Sequence, residues 1–377
     1  MHPLNERQQA LVDDARRFAC EHAGILDPGD DRTANAAQLY RAYARGGYHA
    51  LLIPEHLGGR GLDYVNTGLV YEALSYHLPA TLHGPITTAH CIEMIRIGCQ
   101  GARREELLSA IASKGLAVGF CLTEEGAGSD IASLSTRAQR SPGGFTITGD
   151  KSIVINHAIA SLLIVFAAGP ARKGRAGLNA FLVDPALSGV RIGKPCETPG
   201  FAGNIMGGVA FDGVQVPPDS LLGENDSGYF LLMETLDKGR PLVAASCAGA
   251  AKKAFDLVLD HAKNRVQFGK PLFSFQGISL PLAELATRLQ ASRLLTFDAL
   301  SRIDGNRTFS LEASMAKLHA ADTLLDIASF GVEILGYRAA GASADAREIV
   351  RIHQDAQLMK SIDGAANVQK MVIASQL

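Results

Sequence analysis

The sequence predicts an α+β multidomain protein in three consecutive parts: an N-terminal all-helical domain, a middle β-barrel or sandwich domain and a C-terminal four-helix bundle. Three observations predict it. Apolar residues recur at three- and four-residue spacing through the first third of the chain, short runs rich in Val, Ile, Phe and Thr fill the middle third, and the helical period returns after Pro217-Pro218. At 377 residues the chain exceeds the usual size of one compact domain. The boundaries fall at residues 1–115, 116–222 and 223–377.

In the first part Leu11, Ala15, Phe18 and Ala19, and later Leu107, Leu108 and Ile111, mark helical faces. IPEHLGGRGLD (53–63) gathers Pro54 with Gly58, Gly59 and Gly61 and reads as a loop between helices. The middle part carries FTIT (145–148), SIVI (152–155), LLIVFAA (162–168), LNAFLVD (178–184), GVRIG (189–193) and GGVAFDGVQV (207–216). SPGG, GPARKGRAG and ETPGFAG separate them as turns. Strands and helices do not alternate here, which argues against a parallel doubly wound sheet. Four long segments, around 228–264, 275–303, 311–335 and 347–376, have the lengths and short connections of an antiparallel bundle.

Composition narrows the function. Lys and Arg total 36 against 38 Asp and Glu, so no global field is available to hold nucleic acid or an anionic membrane. MHPLNERQQALVDDARRF is too polar for a secretory signal, and no run of about 18 apolar residues follows, which predicts a cytoplasmic protein. Cysteines 20, 91, 99, 121, 196 and 247 form no CxxC pair and read as small buried hydrophobes in a reducing compartment. No metal site is expected: HExxH is absent, and His83 and His90 lack a carboxylate at useful spacing.

FCLTEEGAGSD (120–130) is the densest local signal. Gly126, Ala127 and Gly128 allow a sharp turn with exposed N–H groups, and Ser129 adds a hydroxyl, which together suit a phosphate. Thr123 offers a hydrogen bond to a flat polar ring edge. On composition alone the segment reads first as a Gly-rich interdomain turn with two exposed glutamates. A nicotinamide-binding Rossmann site is a poorer explanation because GxGxxG is absent. Ser314-Met315-Ala316-Lys317 matches the SxxK pattern but lacks its companion motifs, so a surface or groove position on a helix is expected.

With its neighbours, FCLTEEGAGSD resembles the acyl-CoA dehydrogenase family. The resemblance runs almost end to end and in one order: IPEHLGGRGLD, TEEGAGSD, ITGDKSIVIN (147–156), FDGVQVPPDSLLGE (211–224), LDKGRPLVAA (236–245), RVQFGKPLFSFQ (265–276) and HQDAQLMKSIDGA (353–365). It implies FAD as the cofactor, with Phe120, Leu122, Thr123, Gly128 and Ser129 along it and Ser129 also facing the substrate's phosphate-bearing arm. Ile153, Val154 and Ile155 stand where the family usually has Trp-Ile-Thr against the flavin, so ring stacking and a hydroxyl near flavin N5 are both missing. Arg265, Phe268 and Gln276 resemble residues that reach the dinucleotide end of FAD in a neighbouring subunit, which implies a homodimer or homotetramer. Glu333 and Gly336 of EILGYRAAG stand in the altered partner segment, and Ala365 and Asn367 follow the base position along the cofactor.

The family's base is a Glu followed by Gly-Thr, eight residues after an Asp. Here Asp355 is followed by Asp363-Gly364-Ala365, which implies Asp363 as a shorter base; Asp237, Arg240 and Gly364 are implied contacts to the substrate. The alternative base position of some relatives is Gly239, without a carboxylate. Asp363 before Gly364 would also suit a plain helix-ending turn. The implied reaction is α,β-dehydrogenation of an acyl thioester on CoA or an acyl carrier protein, with electrons leaving to an electron-transfer flavoprotein or to oxygen. A flavin monooxygenase on the same fold, needing no base, and a non-catalytic flavin-binding homologue are the competing readings.

Overall fold

Helix α1 (Glu6–His22) starts on a reciprocal cap: the Gln8 N–H donates to the Asn5 side chain while the Asn5 N–H donates to that of Gln8. Two orphan donors of the first turn are thereby satisfied. The computed structural model describes residues 3–26, 32–79, 81–173, 176–341 and 343–377. It continues with α2 (Arg32–Arg45), α3 (Tyr64–His77), α4 (His83–Gly98) and α5 (Gly101–Lys114). The loop expected at 53–63 is present, tightened by a short 3-10 turn at Glu55–Leu57. A side chain at Gly59 would meet the Ile53 carbonyl at 2.1 Å, so only glycine closes this loop.

Every residue of α4 from His83 to Ile95 is buried. A helix covered on all sides occupies the centre of a fold rather than its surface. Its neighbours come from all three parts. Ile86 and Ala89 join a core with Leu69 and Leu74 of α3 and with residues of the C-terminal helices, while Ile92 and Ile95 join a second core with Val118, Ile164 and Phe166.

The middle part holds β1 (Ala117–Cys121), β2 (Arg137–Ser141), β3 (Gly144–Ile155), β4 (Ala160–Lys173), β5 (Ala176–Val183), β6 (Val190–Pro195), β7 (Met206–Val216) and β8 (Leu221–Leu222). Their order is β6-β7-β3-β2-β4-β5-β8, with β1 parallel to β4. A single pair, Arg137 with Ala168, joins the two halves. Phe145, Ile147, Val209 and Phe211 of one half share a core with Leu163, Val165, Phe181 and Val183 of the other, so the halves face each other as a sandwich. FTIT and SIVI form one strand, β3, because Gly149 at φ +145° carries the chain past Thr136. The sequence reading missed β1 and β2. Within the turn expected at GPARKGRAG, residues 174 and 175 lie outside the described residues.

The C-terminal part begins with α6 (Gly228–Asn264), followed by a two-stranded hairpin of β9 (Val266–Gln267) and β10 (Lys270–Pro271). Then come α7 (Gln276–Asp304), α8 (Ser310–Leu335), α9 (Ala344–Met359) and α10 (Ala366–Ala374). The fourth segment expected at 347–376 is therefore two helices, broken at the turn that carries Asp363. Asp304, the last residue of α7, accepts from the N–H groups of Tyr64 and Val65 at 2.8 Å each, so the bundle caps a helix of the N-terminal part. Among the described residues no helix is long and apolar enough to cross a membrane.

Two expectations about exposure are corrected. Cys91, Cys99, Cys121 and Cys247 are buried and free, but Cys20 and Cys196 are exposed. Of the two glutamates in TEEGAGSD, Glu125 is exposed and Glu124 is buried. Glu124 pairs with the fully buried ammonium of Lys151 at 2.8 Å and accepts from the Ser135 N–H and hydroxyl and from the Thr136 N–H. Nor are the turn's N–H groups all free, since Ala127 and Glu124 exchange backbone hydrogen bonds. Burial alone would raise the Glu124 carboxyl, but Lys151, Ser135 and Thr136 overcome it and hold it at about 2.

That depression, from 4.5 to about 2, corresponds to roughly 3 kcal/mol of stability. It is fully present above pH 4.5 and lost as pH falls toward 2. Glu124→Gln leaves Lys151 buried without its counter-charge and is expected to cost about 3–5 kcal/mol. Thermal melts from pH 3 to 7 check both points: the variant should melt lower at neutral pH and its Tm should fall less on acidification.

Candidate active site

Between α9 and α10 the backbone turns left-handed at two successive residues, Asp363 (φ +49°) and Gly364 (φ +89°). Such residues end a helix, and Asp is one of the few non-glycine types that tolerates the conformation. Two outside donors hold the turn through four hydrogen bonds. Lys317 of α8 donates to the Gly364 carbonyl at 2.9 Å and to that of Lys360 at 3.4 Å, and Gln369 of α10 donates to the carbonyls of Asp363 and Gly364 at 3.1 Å each. Gly364 also leaves room for Gln369, whose amide nitrogen would stand 2.5 Å from an added Cβ.

The Asp363 carboxylate projects among buried groups from three helices while remaining 17% exposed itself. His90 Nε2 lies 3.7 Å from its Oδ2. The sequence reading found no carboxylate at useful spacing from His90; the fold supplies one from 273 residues away, counted from 90 to 363. Lys317 and Arg240 are buried, and burial lowers the pKa of both, with the attraction of Asp363 opposing the fall. Arg240 pairs with Asp237 and donates to Ser314 Oγ at 3.3 Å. His83 packs against the Phe201 ring at 4.4 Å, and burial pulls it down to about 4 despite Asp363, so it is neutral at pH 7. Burial pushes the Cys247 thiol up to about 12.

Ser314 and Lys317 were expected at a surface or groove position. Both are fully buried, and Lys317 is the cation that fixes the Asp363 turn. Asp355 is structural: its Oδ1 accepts from the Phe201 N–H at 2.5 Å, and Gly200 leaves it room. It ties the ETPGFAG loop of the middle part to α9 below the site.

The residues expected along the flavin form a shelf. Thr123 continues β1 alongside β3, its carbonyl accepting from the Ser152 N–H at 2.9 Å. Alternation along β3 then buries Val154 and turns Ile153 and Ile155 the other way, Ile153 being 51% exposed. Phe120 and Leu122 are half-buried, and Phe120 stacks toward His90 with ring centroids 6.4 Å apart. His90 thus connects the shelf with Asp363. Next to the shelf, added Cβ atoms at Gly126 and Gly128 would meet nothing within 4 Å, and Ser129 is exposed. Uncovered isoleucine beside an open, polar turn fits a flat apolar ring continuing into a phosphate-bearing arm.

The dinucleotide-end candidates are placed separately. Arg265 ends α6 half-buried, Phe268 at φ +51° is 94% exposed on the β9–β10 hairpin, and Gln276 opens α7 exposed. Glu333, Gly336 and Asn367 are exposed, and Ala365 is half-buried beside the Asp363 turn. Among the described residues no group of three or more His, Cys, Asp or Glu is placed to hold a metal ion.

Residues 5–115, 119–214 and 226–377 match, in order, the N-terminal, middle and C-terminal domains of acyl-CoA dehydrogenase. The chain belongs to the acyl-CoA dehydrogenase family. It is 31% identical over 377 residues to the mitochondrial short-chain specific acyl-CoA dehydrogenase of Homo sapiens, covering 99% of this chain and 90% of that one. A 3-(aryl)acrylate reductase of Clostridium sporogenes is 30% identical over 384 residues, with 99% of both chains covered. The butyryl-CoA dehydrogenase structure from Megasphaera elsdenii superposes with a TM-score of 0.89 at 28% identity, over 100% of this chain and 99% of that one. As a member of the family the chain is an FAD-dependent oxidoreductase acting on CH–CH groups.

Within this acyl-CoA dehydrogenase fold, His90, Lys317 and Gln369 escaped the functional reading of the sequence. The SxxK pattern flagged Lys317 for another chemistry, and a histidine in the apolar α4 run was the one signal for His90. Replacing Lys317 with Met removes the cation and one donor to the Asp363 turn. A displacement of the carboxylate by about 1 Å would slow the reaction on the order of 10²-fold. Stopped-flow flavin reduction should show that loss, while thermal melts show a smaller change because Gln369 still holds the Gly364 carbonyl.

Proposed function

We propose that this chain α,β-dehydrogenates an acyl thioester borne on CoA or an acyl carrier protein, with Asp363 as the base. The observation that carries the reading is the Asp363 turn: a partly exposed carboxylate on left-handed backbone, clamped by Lys317 and Gln369 and surrounded by buried cations. Holding a turn this tightly is what positions a general base over one carbon of a substrate. FAD, when bound, supplies the acceptor for the β-hydride. Phe120, Leu122, Thr123, Gly128, Ser129, Ile153 and Ile155 would hold its ring and ribityl side, with Ala365 and Asn367 along the same edge.

Asp237, Arg240 and Gly364 line the substrate side of this assignment. Arg240 is oriented by Asp237 and Ser314, so its charge is fixed near the carboxylate without neutralising it directly. Asp reaches one methylene less than the family's Glu, so in this reading the substrate's α-carbon lies correspondingly closer to the Asp363 turn. Arg265 at the end of α6 and Phe268 on the exposed hairpin, together with Gln276, Glu333 and Gly336, would complete the dinucleotide end of FAD in a neighbouring subunit of a homodimer or homotetramer. Electrons would leave to an electron-transfer flavoprotein or to oxygen.

Purified protein should be yellow and bleach on anaerobic mixing with a saturated acyl thioester, in the absence of NADH. A panel of acyl-CoA and acyl-carrier thioesters reports the carrier. Bleaching that requires NADH, followed by a hydroxylated product in oxygen, would establish the monooxygenase instead. Asp363→Asn is expected to keep FAD and lose bleaching by roughly 10²- to 10⁴-fold. Asp363→Glu should retain measurable bleaching, since it restores a carboxylate at the same turn.

A further inference from the structure

His90 lies in the middle of α4 with its side chain 2% exposed, and the assignment above uses neither of its nitrogens. Nδ1 stands 2.8 Å from the Ile86 carbonyl. A carbonyl can only accept, so Nδ1 carries a proton and the neutral ring presents a lone pair at Nε2. That nitrogen has no hydrogen-bond partner and faces Asp363 Oδ2 at 3.7 Å. A buried acceptor without a partner, set beside a carboxylate oxygen, is satisfied when a proton sits between the two.

The ring's place is made by a missing side chain. A Cβ at Gly239 would lie 1.8 Å from His90 Nε2 and 2.4 Å from Cδ2. Any other residue at 239 would therefore evict the imidazole. Position 239 of α6 and position 90 of α4 compete for one volume, and in this chain the imidazole has it.

We propose that His90 is the positioning partner of Asp363 and the second seat of the proton that Asp363 removes. The inference rests on Asp363 being the base. As the substrate Cα–H bond breaks, an O–H bond forms on Asp363 and the electron pair becomes the new C=C bond; FAD, when bound, would take the β-hydride. The protonated Asp363 closes from 3.7 Å to hydrogen-bond distance of His90 Nε2 and shares its proton there, and the proton returns through the partly exposed carboxyl to water when product leaves.

Charged groups from several elements surround the pair. Lys317 from α8 and Arg240 from α6 are buried cations attracted by the Asp363 carboxylate, and Asp237 offsets Arg240. On α4, His83 is neutral, and Glu93 is engaged with Arg96 and Lys238. Phe120 of β1 presents an uncharged ring, and the Cys247 thiol of α6 is protonated at neutral pH.

The test is the rate of flavin reduction by a saturated acyl thioester, read by stopped flow in the holoenzyme. His90→Gln fills similar volume without a basic nitrogen and should lower that rate by up to about 10²-fold. Gly239→Ala should reproduce that loss by displacing the ring, yet add nothing in a His90→Ala background, where the methyl has room. A readout without substrate is ¹⁵N NMR of labelled histidine, in which the Nε2 resonance of His90 should move on Asp363→Asn.

An unchanged rate in His90→Gln would overturn the proposal, as would additive losses in the Gly239 and His90 pair. Should His90→Gln fail to fold, Gly239→Ala and the Nε2 resonance decide. Bleaching that persists in Asp363→Asn instead removes the base assignment itself. A silent Asp363→Asn with a wild-type-like His90→Gln removes only the role of His90.

Discussion

The short break between α9 and α10 is the constraint on which the site depends. A continuous helix through residues 360–365 would direct the side chain of Asp363 by the helical repeat alone. Instead the chain adopts left-handed backbone at Asp363 and Gly364, and α8 supplies a buried lysine to hold the exposed carbonyls of the turn. Burying an ammonium is costly unless it is fully engaged. Lys317 is engaged twice by carbonyls, with the Asp363 carboxylate contributing to its field. One buried charge thus fixes both the geometry of the turn and the electrostatics above it.

A similar logic operates at the other end of the site. Glu124 and Lys151 bind the start of the FAD-side turn to β3, and Asp355 binds the ETPGFAG loop to α9. Each is a buried carboxylate whose acceptors are filled by donors from a different segment. The shelf of Phe120, Ile153 and Ile155, the turn at Gly126 to Gly128 and the carboxylate at 363 come from separate parts of the chain. Buried polar bonds hold them in register, because apolar packing alone would tolerate small slips.

Much of this was legible in the sequence. Period-3.6 and period-2 patterns separate the helical and β parts because burial imposes them locally, and the ordered motifs point to Asp363, Arg240 and the shelf that the proposal gives to FAD. What was illegible is long-range. The burial of Glu124 depends on Lys151, Ser135 and Thr136, and no local pattern distinguishes it from exposed Glu125. His90 gains a carboxylate partner only through the fold, and Gly239 reads as a lost functional group until the imidazole beside it is seen. The split of the last helix was likewise hidden, since residues 347–376 keep an apolar period through a turn held from outside.

Asp304 caps the N-terminus of α3 from 240 residues away, and the core containing Leu69 and Leu74 is completed by α6, α7 and α8. During synthesis the first helices therefore leave the ribosome long before the surfaces that cover them exist. Contacts this distant in sequence make folding slow and keep apolar faces uncovered in the interim. The N-terminal helices reach their final packing only once most of the chain has been made.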